Sequence, residues 1–197
     1  MALSQPSRVA GFVLVGGRSS RMGRDKALMP CGESTLVEHV ARLLDRVCGS
    51  VVLVGCPARY RALPFRTIPD LLPDQGPLGG IEAALSVSGC EWRLIVACDM
   101  PSITLELLEL LVDATRQSAA DSIVPVSPDG RLQPLCAVYH RRCLGAISGL
   151  LSRGVRRMGE AIPHLGAVLL PIGSAESFRN LNTLDDWRTH RTRSHQP

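Results

Sequence analysis

The stretch that decides the fold reads Val9-Ala-Gly-Phe-Val-Leu-Val-Gly-Gly-Arg-Ser-Ser-Arg-Met-Gly-Arg-Asp-Lys26. Its apolar half, residues 9–15, predicts a buried strand that leads directly into a loop of glycines, serines and arginines. Glycines let backbone N–H groups approach phosphate oxygens closely, and lysine or arginine side chains neutralise the phosphate charge. The stretch therefore predicts a polyphosphate-binding loop, with an ordinary surface loop after a buried strand as the alternative.

The spacing of this loop excludes two familiar nucleotide-binding motifs. A P-loop requires G-x-x-x-x-G-K-[ST], but Gly23 is followed by Arg24, and Lys26 is followed by Ala27. A dinucleotide-binding fingerprint requires G-x-G-x-x-G, which the residues after Gly16 do not supply. The loop therefore belongs to another class of phosphate-binding loop, and a nicotinamide-dependent oxidoreductase is disfavoured.

The size and composition of the chain are typical of one α/β domain. Its 197 residues are 45% hydrophobic and 20% charged, and only 4% are aromatic. A core of leucine, valine, isoleucine and alanine is therefore expected, as in sheets buried on both faces. We expect a single domain over residues 1–197, with residues 1–7 and about 190–197 disordered.

The charge balance and the apolar runs indicate a small anionic ligand rather than nucleic acid or a membrane. The formal net charge is only +4, and basic residues cluster at 18–26 and 153–157. No apolar run approaches the roughly 18 residues needed to span a bilayer. The N-terminus has no charged segment followed by a long apolar stretch, so no signal peptide is predicted. A cytoplasmic protein is therefore expected.

The seven cysteines indicate neither a metal site nor a disulfide framework. They form no C-x-x-C pair and no metal-ligand spacing with histidine, and their number is odd. Four of them lie among apolar neighbours, where we expect small buried hydrophobic side chains.

Apolar runs alternate with helical patterns along nearly the whole chain. This alternation predicts a three-layer, Rossmann-like α/β fold in which a mostly parallel sheet has helices on both faces. The predicted strands are residues 9–15, 51–54, about 66–69, 92–98, 122–126, 134–139 and 168–172. The predicted helices are residues 34–48, 78–87, 104–117 and 141–151, with a C-terminal helix from about Leu184. Ser34 is the expected N-cap of the first helix, and Gly49 is its stop signal.

Two aspartates follow predicted strands, Asp70 after the strand near 66–69 and Asp99 after 92–98. Ligands of open α/β sheets bind outside the carboxyl ends of the strands, so both aspartates should lie near the glycine loop. Because a carboxylate repels a triphosphate unless a cation lies between them, Asp99 implies Mg²⁺. Alternatively, Asp99 is a capping or turn residue before the next helix, and Asp70 only terminates its strand.

Four sequence blocks occur in order over residues 9–187. They are the loop 14–26 with the pattern G-G-x-S-x-R-M-G-x-D-K, Asp70 followed by Gly76-Pro-Leu-Gly-Gly80, Cys98-Asp-Met-Pro101, and Phe178-Arg-Asn-Leu-Asn-Thr183. Together they resemble the molybdenum cofactor guanylyltransferase family, whose members are nucleotidyltransferases. The glycine loop alone is shared with other nucleotidyltransferases, whereas the D-K ending, G-P-L-G-G and F-x-N-x-N-T together are much more specific.

The resemblance implies a role for each block. The nucleotide-binding residues would be Leu14, Val15, Gly16, Gly17, Lys26, Asp70 and Asp99, the catalytic residues would be Lys26, Arg21 and Asp99, and Asp99 would also hold Mg²⁺. The chain departs from the family pattern at Val15, where alanine is usual, and at Leu184, where proline is frequent. It departs again at Val54, in a stretch where some members carry an asparagine that touches the nucleotide. The departure at Val54 concerns the recognition of guanine and not the chemistry at the phosphates.

The implied reaction transfers GMP from GTP to the terminal phosphate of Mo-molybdopterin and releases pyrophosphate. The implied partners are GTP, Mo-molybdopterin, and molybdenum cofactor synthesis and delivery proteins, with the chain as a monomer or weak oligomer. We expect the acceptor on the C-terminal half, near residues 131–135 and 153–157, with Asn180 and Asn182 in support. A solvated helix face for these arginines and turn formation for the asparagines are the alternatives.

Three other functions stay open on the sequence alone. A cytidylyltransferase that uses CTP and the same acceptor has a related loop that more often ends in N-K, so Asp25-Lys26 favours guanylyl transfer. A sugar-1-phosphate nucleotidyltransferase shares the glycine loop but lacks the F-x-N-x-N-T block. A non-catalytic nucleotide-binding module in molybdenum cofactor delivery would need no metal-holding carboxylate, so the presence of both Lys26 and Asp99 argues against it.

Overall fold

The central feature of the computed structural model is a seven-stranded sheet, formed within the described residues 8–16, 25–70, 75–87, 89–181 and 186–187. Its strands are β1 (Val9–Leu14), β4 (Val51–Val54), β5 (Arg66–Ile68), β6 (Trp92–Ala97), β7 (Ser122–Val126), β8 (Cys136–His140) and β9 (Ala167–Pro171). The strands lie in the order β5-β4-β1-β6-β8-β7-β9. A separate two-stranded hairpin pairs β2 (Pro30–Cys31) with β3 (Ser34–Thr35).

The sheet is mostly parallel, as the sequence predicts. The pairs β4–β5, β1–β4, β1–β6 and β7–β9 are parallel, and only β8 runs antiparallel to its neighbours β6 and β7. The antiparallel direction of β8 brings its first residues to the edge where the parallel strands end. That edge carries the candidate site.

Helices cover both faces of the sheet, which confirms the three-layer prediction. The helices are α1 (Leu36–Cys48), α2 (Pro57–Tyr60), α3 (Gly76–Ser86), α4 (Leu105–Ala114), α5 (Cys143–Ser152) and α6 (Met158–Ala161). Successive residues of a strand point to opposite faces, so neighbouring side chains enter different cores. Val13 and Leu94 pack with α1 and α4 in one core. Phe12 and Ile95 pack with α3 and α5 in the other core.

The N-cap of the first helix lies one residue later than predicted. Ser34 lies in β3, and Thr35 is the N-cap, because its hydroxyl accepts from the Glu38 backbone N–H while the Glu38 carboxylate accepts from Thr35. This reciprocal capping box requires a Glu or Gln three residues after the cap, and Thr35 rather than Ser34 has one. The predicted stop at Gly49 is confirmed, since Gly49 adopts the left-handed conformation at the C-cap.

Other element boundaries shift by a few residues. The strand expected at 134–139 is β8 and lies at Cys136–His140, because the residues before it form a turn. The fourth helix starts after its N-cap Thr104 and ends at Ala114, three residues before the predicted end. The short elements β2, β3, α2 and α6 were not predicted. Residues 1–7 and 188–197 and the predicted helix start at Leu184 lie outside the described residues.

Four of the seven cysteines are buried, as expected, namely Cys48, Cys98, Cys136 and Cys143. Within the described ranges, no helix is long and apolar enough to cross a membrane.

Gly55, directly after β4, lets two strands approach closely at the functional edge. A β-carbon at this position would overlap the backbone carbonyl oxygen of Val15 and crowd its side chain. The Gly55 N–H donates to the Ile68 carbonyl at 2.8 Å, and the Val15 N–H donates to the Val54 carbonyl at 2.9 Å. Gly55 therefore sets the position of the chain as it leaves β1, where nucleotide binding is expected.

Gly55→Ala should destabilise the fold by about 1–3 kcal/mol, because the added methyl group overlaps backbone atoms that have little room to move. Gly145→Ala is the matched control, since Gly145 is exposed on α5 with open space around it. There the same substitution should stabilise the protein by roughly 0.5–1 kcal/mol through helix propensity. Urea unfolding measures both, and a Gly55→Ala variant as stable as wild type would contradict the packing described.

Candidate active site

The carboxyl ends of four parallel strands bring the predicted residues to one edge of the sheet. In the register of the sheet, Leu14 pairs with Val54 on one side and with Ala97 on the other. The ladder continues one step further, because the Cys98 N–H donates to the Leu14 carbonyl at 3.1 Å. Residues that follow these strands therefore meet at the edge: Val15 and Gly16 after β1, Asp70 after β5, and Asp99 after β6.

Lys26 and Asp99 form an ion pair at this edge, although 73 positions separate them in the sequence. The Lys26 Nζ lies 3.0 Å from Asp99 Oδ2, and the two side chains are only 15% and 23% exposed. Partial burial reduces screening by water and salt, so the two charges interact more strongly than an exposed surface pair. The structure thus unites the predicted phosphate-binding cation with the predicted metal-binding carboxylate.

Lys26 is also the only lysine of the chain, because the other 21 of its 22 basic residues are arginines. A lysine offers a compact ammonium with rotatable donors, whereas an arginine offers a planar fork. The single lysine therefore stands where a compact charge can approach phosphate. This compositional signal was available in the sequence and was not used in the prediction.

The alternative role of Asp99 as a helix cap is wrong. The N-cap of α4 is Thr104, whose hydroxyl accepts from the Leu107 N–H at 3.3 Å. The Asp99 side chain pairs with Lys26, and its backbone carbonyl accepts from the Leu181 N–H at 2.9 Å. The carboxylate is therefore directed to the site rather than to the following helix.

Asp70 lies close to the backbone of Gly80 in α3. A β-carbon on Gly80 would lie 3.5 Å from Asp70 Oδ1 and 3.2 Å from the Leu14 side chain. Burial raises the pKa of the Asp70 carboxyl above its ordinary value. Because Gly80 has no side chain, the Leu14 side chain and the Asp70 carboxylate can approach the backbone of α3 closely.

The carboxylate of Asp99 fits a metal ion that is only partly held by protein. Among the residues that the structure describes, no group of three or more His, Cys, Asp or Glu side chains is placed to hold a metal ion. Mg²⁺ commonly takes one or two carboxylates and completes its shell with phosphate oxygens and water. Asp99 offers oxygen donors of that type beside the expected phosphate position, so the donor chemistry fits Mg²⁺.

Several predicted site residues cannot be located. Gly17 and Arg21 of the loop, and Asn182 near the C-terminus, lie outside the described residues. The described members of the predicted nucleotide-binding set are Leu14, Val15, Gly16, Lys26, Asp70 and Asp99.

A cavity of about 540 Å³ opens on the same edge, where Ser127 follows the end of β7. Its lining includes Asp129, Arg131, Gln133, Phe178, Arg179 and Asn180. Of the predicted acceptor residues, it thus brings Arg131, Gln133 and Asn180 together. The Asn180 Oδ1 atom is buried and has no hydrogen-bond partner in the described structure, which leaves an acceptor available to a ligand.

The basic segment 153–157 has largely structural contacts. Arg156 donates to the carbonyls of Leu151 and Val155, at 2.7 and 2.9 Å, and so satisfies the end of α5. Arg157 pairs with Glu160 at 3.7 Å on the surface. These contacts agree better with the alternative of a solvated helix end than with ligand binding.

Comparisons with known proteins identify the family of the chain. The model of the MobA-like NTP transferase domain matches residues 11–165. A protein of Flavobacterium johnsoniae named probable molybdenum cofactor guanylyltransferase is 32% identical over 177 residues, covering 89% of this chain and 92% of that protein. A protein of the same name from Mycobacterium tuberculosis H37Rv is 35% identical over 182 residues, with 89% of each chain covered.

The fold matches a solved structure of the same kind. The crystal structure of molybdopterin-guanine dinucleotide biosynthesis protein A from Archaeoglobus fulgidus superposes with a TM-score of 0.81 at 26% identity, covering 95% of this chain and all of that one. The family model and the relatives cover most of the chain, including the edge that carries Lys26 and Asp99. The chain therefore belongs to the MobA-like NTP transferase family and is a nucleotidyltransferase.

Proposed function

We propose that the protein transfers GMP from GTP to the terminal phosphate of Mo-molybdopterin, giving molybdopterin guanine dinucleotide cofactor and pyrophosphate. The observation that carries this proposal is the Lys26–Asp99 pair at the edge of the sheet where the cavity lined by Asn180 also opens. A cation and a carboxylate that could hold a metal ion thus lie at the edge where the substrates would bind. The names of the relatives supply the substrates that fit this arrangement.

The nucleotide would bind along the ends of β1, β4 and β6. Its base would lie near Leu14 and Asp70, and its phosphates would meet Lys26 and the backbone N–H groups after β1. Gly17 and Arg21 would complete the phosphate contacts. The last glycine of the G-P-L-G-G block has a physical reason, because a β-carbon on Gly80 would crowd the Leu14 side chain at 3.2 Å.

The reaction brings two anions together, and the residues of the site reduce the repulsion between them. An oxygen of the acceptor's terminal phosphate forms a new bond to the α-phosphorus of GTP, and the bond from that phosphorus to the bridging oxygen breaks as pyrophosphate leaves. The nucleophile is already an anion, so the site needs no general base. Lys26 holds phosphate oxygens and lowers their mutual repulsion, while the strand ends fix the reacting groups in place.

Asp99 would hold a Mg²⁺ ion against the nucleotide phosphates. Bound there, the ion would supply charge neutralisation between the carboxylate and the phosphates. Lys26 neutralises Asp99 in the structure. We therefore propose that Lys26 exchanges its contact with Asp99 for a contact with phosphate when the nucleotide binds.

The cavity lined by Asn180 would take the acceptor. Its volume of about 540 Å³ lies within the range typical of small-molecule sites. The buried and unpartnered Asn180 Oδ1 would accept from an N–H of the pterin, and Arg131 and Gln133 would supply further polar contacts. Molybdenum cofactor delivery proteins, a monomeric or weakly associating state, and a cytoplasmic location stay predictions.

Release of pyrophosphate tests the proposed reaction against its rivals. With molybdenum-loaded molybdopterin and Mg²⁺, GTP should support turnover at least about tenfold faster than CTP, a difference of about 1.4 kcal/mol in the barrier. Faster turnover with CTP would establish the cytidylyltransferase instead. Tight GTP binding without turnover, equally strong in EDTA, would indicate the non-catalytic binding module.

Lys26→Ala and Asp99→Asn should each lower kcat by about 10²–10³-fold, the usual result of removing one preorganised charged group. Asp99→Asn should also abolish the Mg²⁺ dependence of GTP binding, as titration calorimetry with and without the metal would show. The matched control is Asp121→Asn, which removes the partner of Arg142 from an ion pair at the opposite edge of the sheet. Near-normal turnover of Asp99→Asn in Mg²⁺ would contradict the assignment.

Asn180→Ala should raise the KM for molybdopterin by about tenfold, as expected for the loss of one buried hydrogen bond worth about 1.4 kcal/mol. The KM for GTP serves as the internal control and should change by less than about twofold. Steady-state kinetics with each substrate varied in turn make the measurement. An equal loss of affinity for both substrates would show that Asn180 supports the fold of the edge rather than the acceptor.

A further inference from the structure

Asp25, the residue directly before Lys26, has both carboxylate oxygens engaged by the protein itself. Its Oδ1 accepts from the Ala27 N–H at 3.0 Å, which caps a single 3-10 turn over Lys26–Leu28. Its Oδ2 accepts from the Tyr60 hydroxyl at 3.0 Å and lies 3.4 Å from Arg59 Nη1. These contacts hold the backbone from which the Lys26 side chain starts.

Tyr60 is a firm anchor for this carboxylate. It ends α2, which follows Gly55 and the end of β4, and only 1% of its surface is exposed. It belongs to the same hydrophobic core as Val15, Ala27 and Cys98. Burial, and then the nearby Asp25 charge, raise the pKa of the phenol well above its ordinary value, so Tyr60 remains a hydrogen-bond donor.

Arg59 contributes much less to the arrangement. Its side chain is 54% exposed, and exposed ion pairs add little because water and salt screen them. The buried Tyr60 hydroxyl is the partner that fixes the direction of the Asp25 carboxylate. The hydrogen bonds therefore run from Tyr60 to Asp25 and from the Ala27 N–H to Asp25, with Lys26 between Asp25 and Ala27.

We propose that Asp25 and Tyr60 form a positioning pair that sets the Lys26 amino group opposite Asp99, and that the Asp25 carboxylate does not read the nucleotide base. The role in turnover rests on the proposed function, whereas the role in placing Lys26 does not. A lysine side chain has four rotatable bonds, and misplacement of a catalytic group by about 1 Å can cost 10²-fold in rate. Asp25, the aspartate of the D-K ending, thus positions Lys26, and this role is the same whether the nucleotide is GTP or CTP.

The single lysine of the chain gives a direct test. Protein labelled with lysine carrying ¹³C at Cε should show one resonance, that of Lys26, because no other position contributes. Asp99→Asn provides the reference shift for loss of the ion pair. Tyr60→Phe, which removes only the hydroxyl, should move the resonance toward the position of a solvent-exposed lysine.

Ser122→Ala is the matched control for this spectrum. It also removes one buried hydroxyl, which donates to the Leu165 carbonyl at 3.0 Å at the opposite edge of the sheet. It should leave the Lys26 resonance unchanged. A resonance that stays in place in Tyr60→Phe, while Asp99→Asn shifts it, overturns the positioning pair. If Tyr60→Phe does not fold, Asp25→Ala makes the same test on the other partner.

Kinetics separate positioning from base recognition. Tyr60→Phe should lower kcat for GTP about tenfold, within the range expected for a displaced catalytic group, with the KM for GTP changed by less than about twofold. Asp25→Asn should lower turnover with GTP without any gain with CTP. A gain with CTP, or an unchanged kcat in Tyr60→Phe, overturns the role in turnover. If the wild-type protein transfers no GMP, the proposed function fails, while the resonance of Lys26 still decides the pair.

Discussion

The pairing of β1 between β4 and β6 is the constraint on which the rest of the structure depends. Its register places Leu14 level with Val54 on one side and with Ala97 on the other. Backbone hydrogen bonds to Leu14 and from Val15 carry the pairing past the last residues of the strands. The loop after β1 and the carboxylate after β6 therefore emerge side by side, and the close approach at Gly55 keeps the exit from β1 in place.

This geometry places opposite charges together before any ligand binds. Lys26 and Asp99 neutralise each other in a partly buried position, so neither charge is left uncompensated. Under the proposed function, Lys26 would bind a phosphate and Asp99 would hold a divalent cation when the nucleotide binds. The domain model that matches this chain is that of an NTP transferase.

The sequence was sufficient to predict the parts of the structure that depend on local patterns. The buried strands at 9–14 and 51–54, the alternation with helices, and the positions of Asp70 and Asp99 after strands all follow from apolar periodicity. The first N-cap was missed by one residue, because Ser34 and Thr35 are both good caps and only the contact with Glu38 decides between them. Contacts between distant residues were not predictable in this way. Nothing local to Asp25 indicates Tyr60, and nothing in the spacing of Gly55 indicates the Val15 carbonyl.

The most direct test of the central claim is a crystal structure with Mg²⁺ and a non-hydrolysable GTP analogue. The account predicts a metal ion bound to an Asp99 oxygen and to phosphate oxygens, with the Lys26 Nζ moved from the carboxylate to a phosphate. An intact contact between Lys26 and Asp99, with the nucleotide and the metal bound elsewhere on the protein, would contradict it.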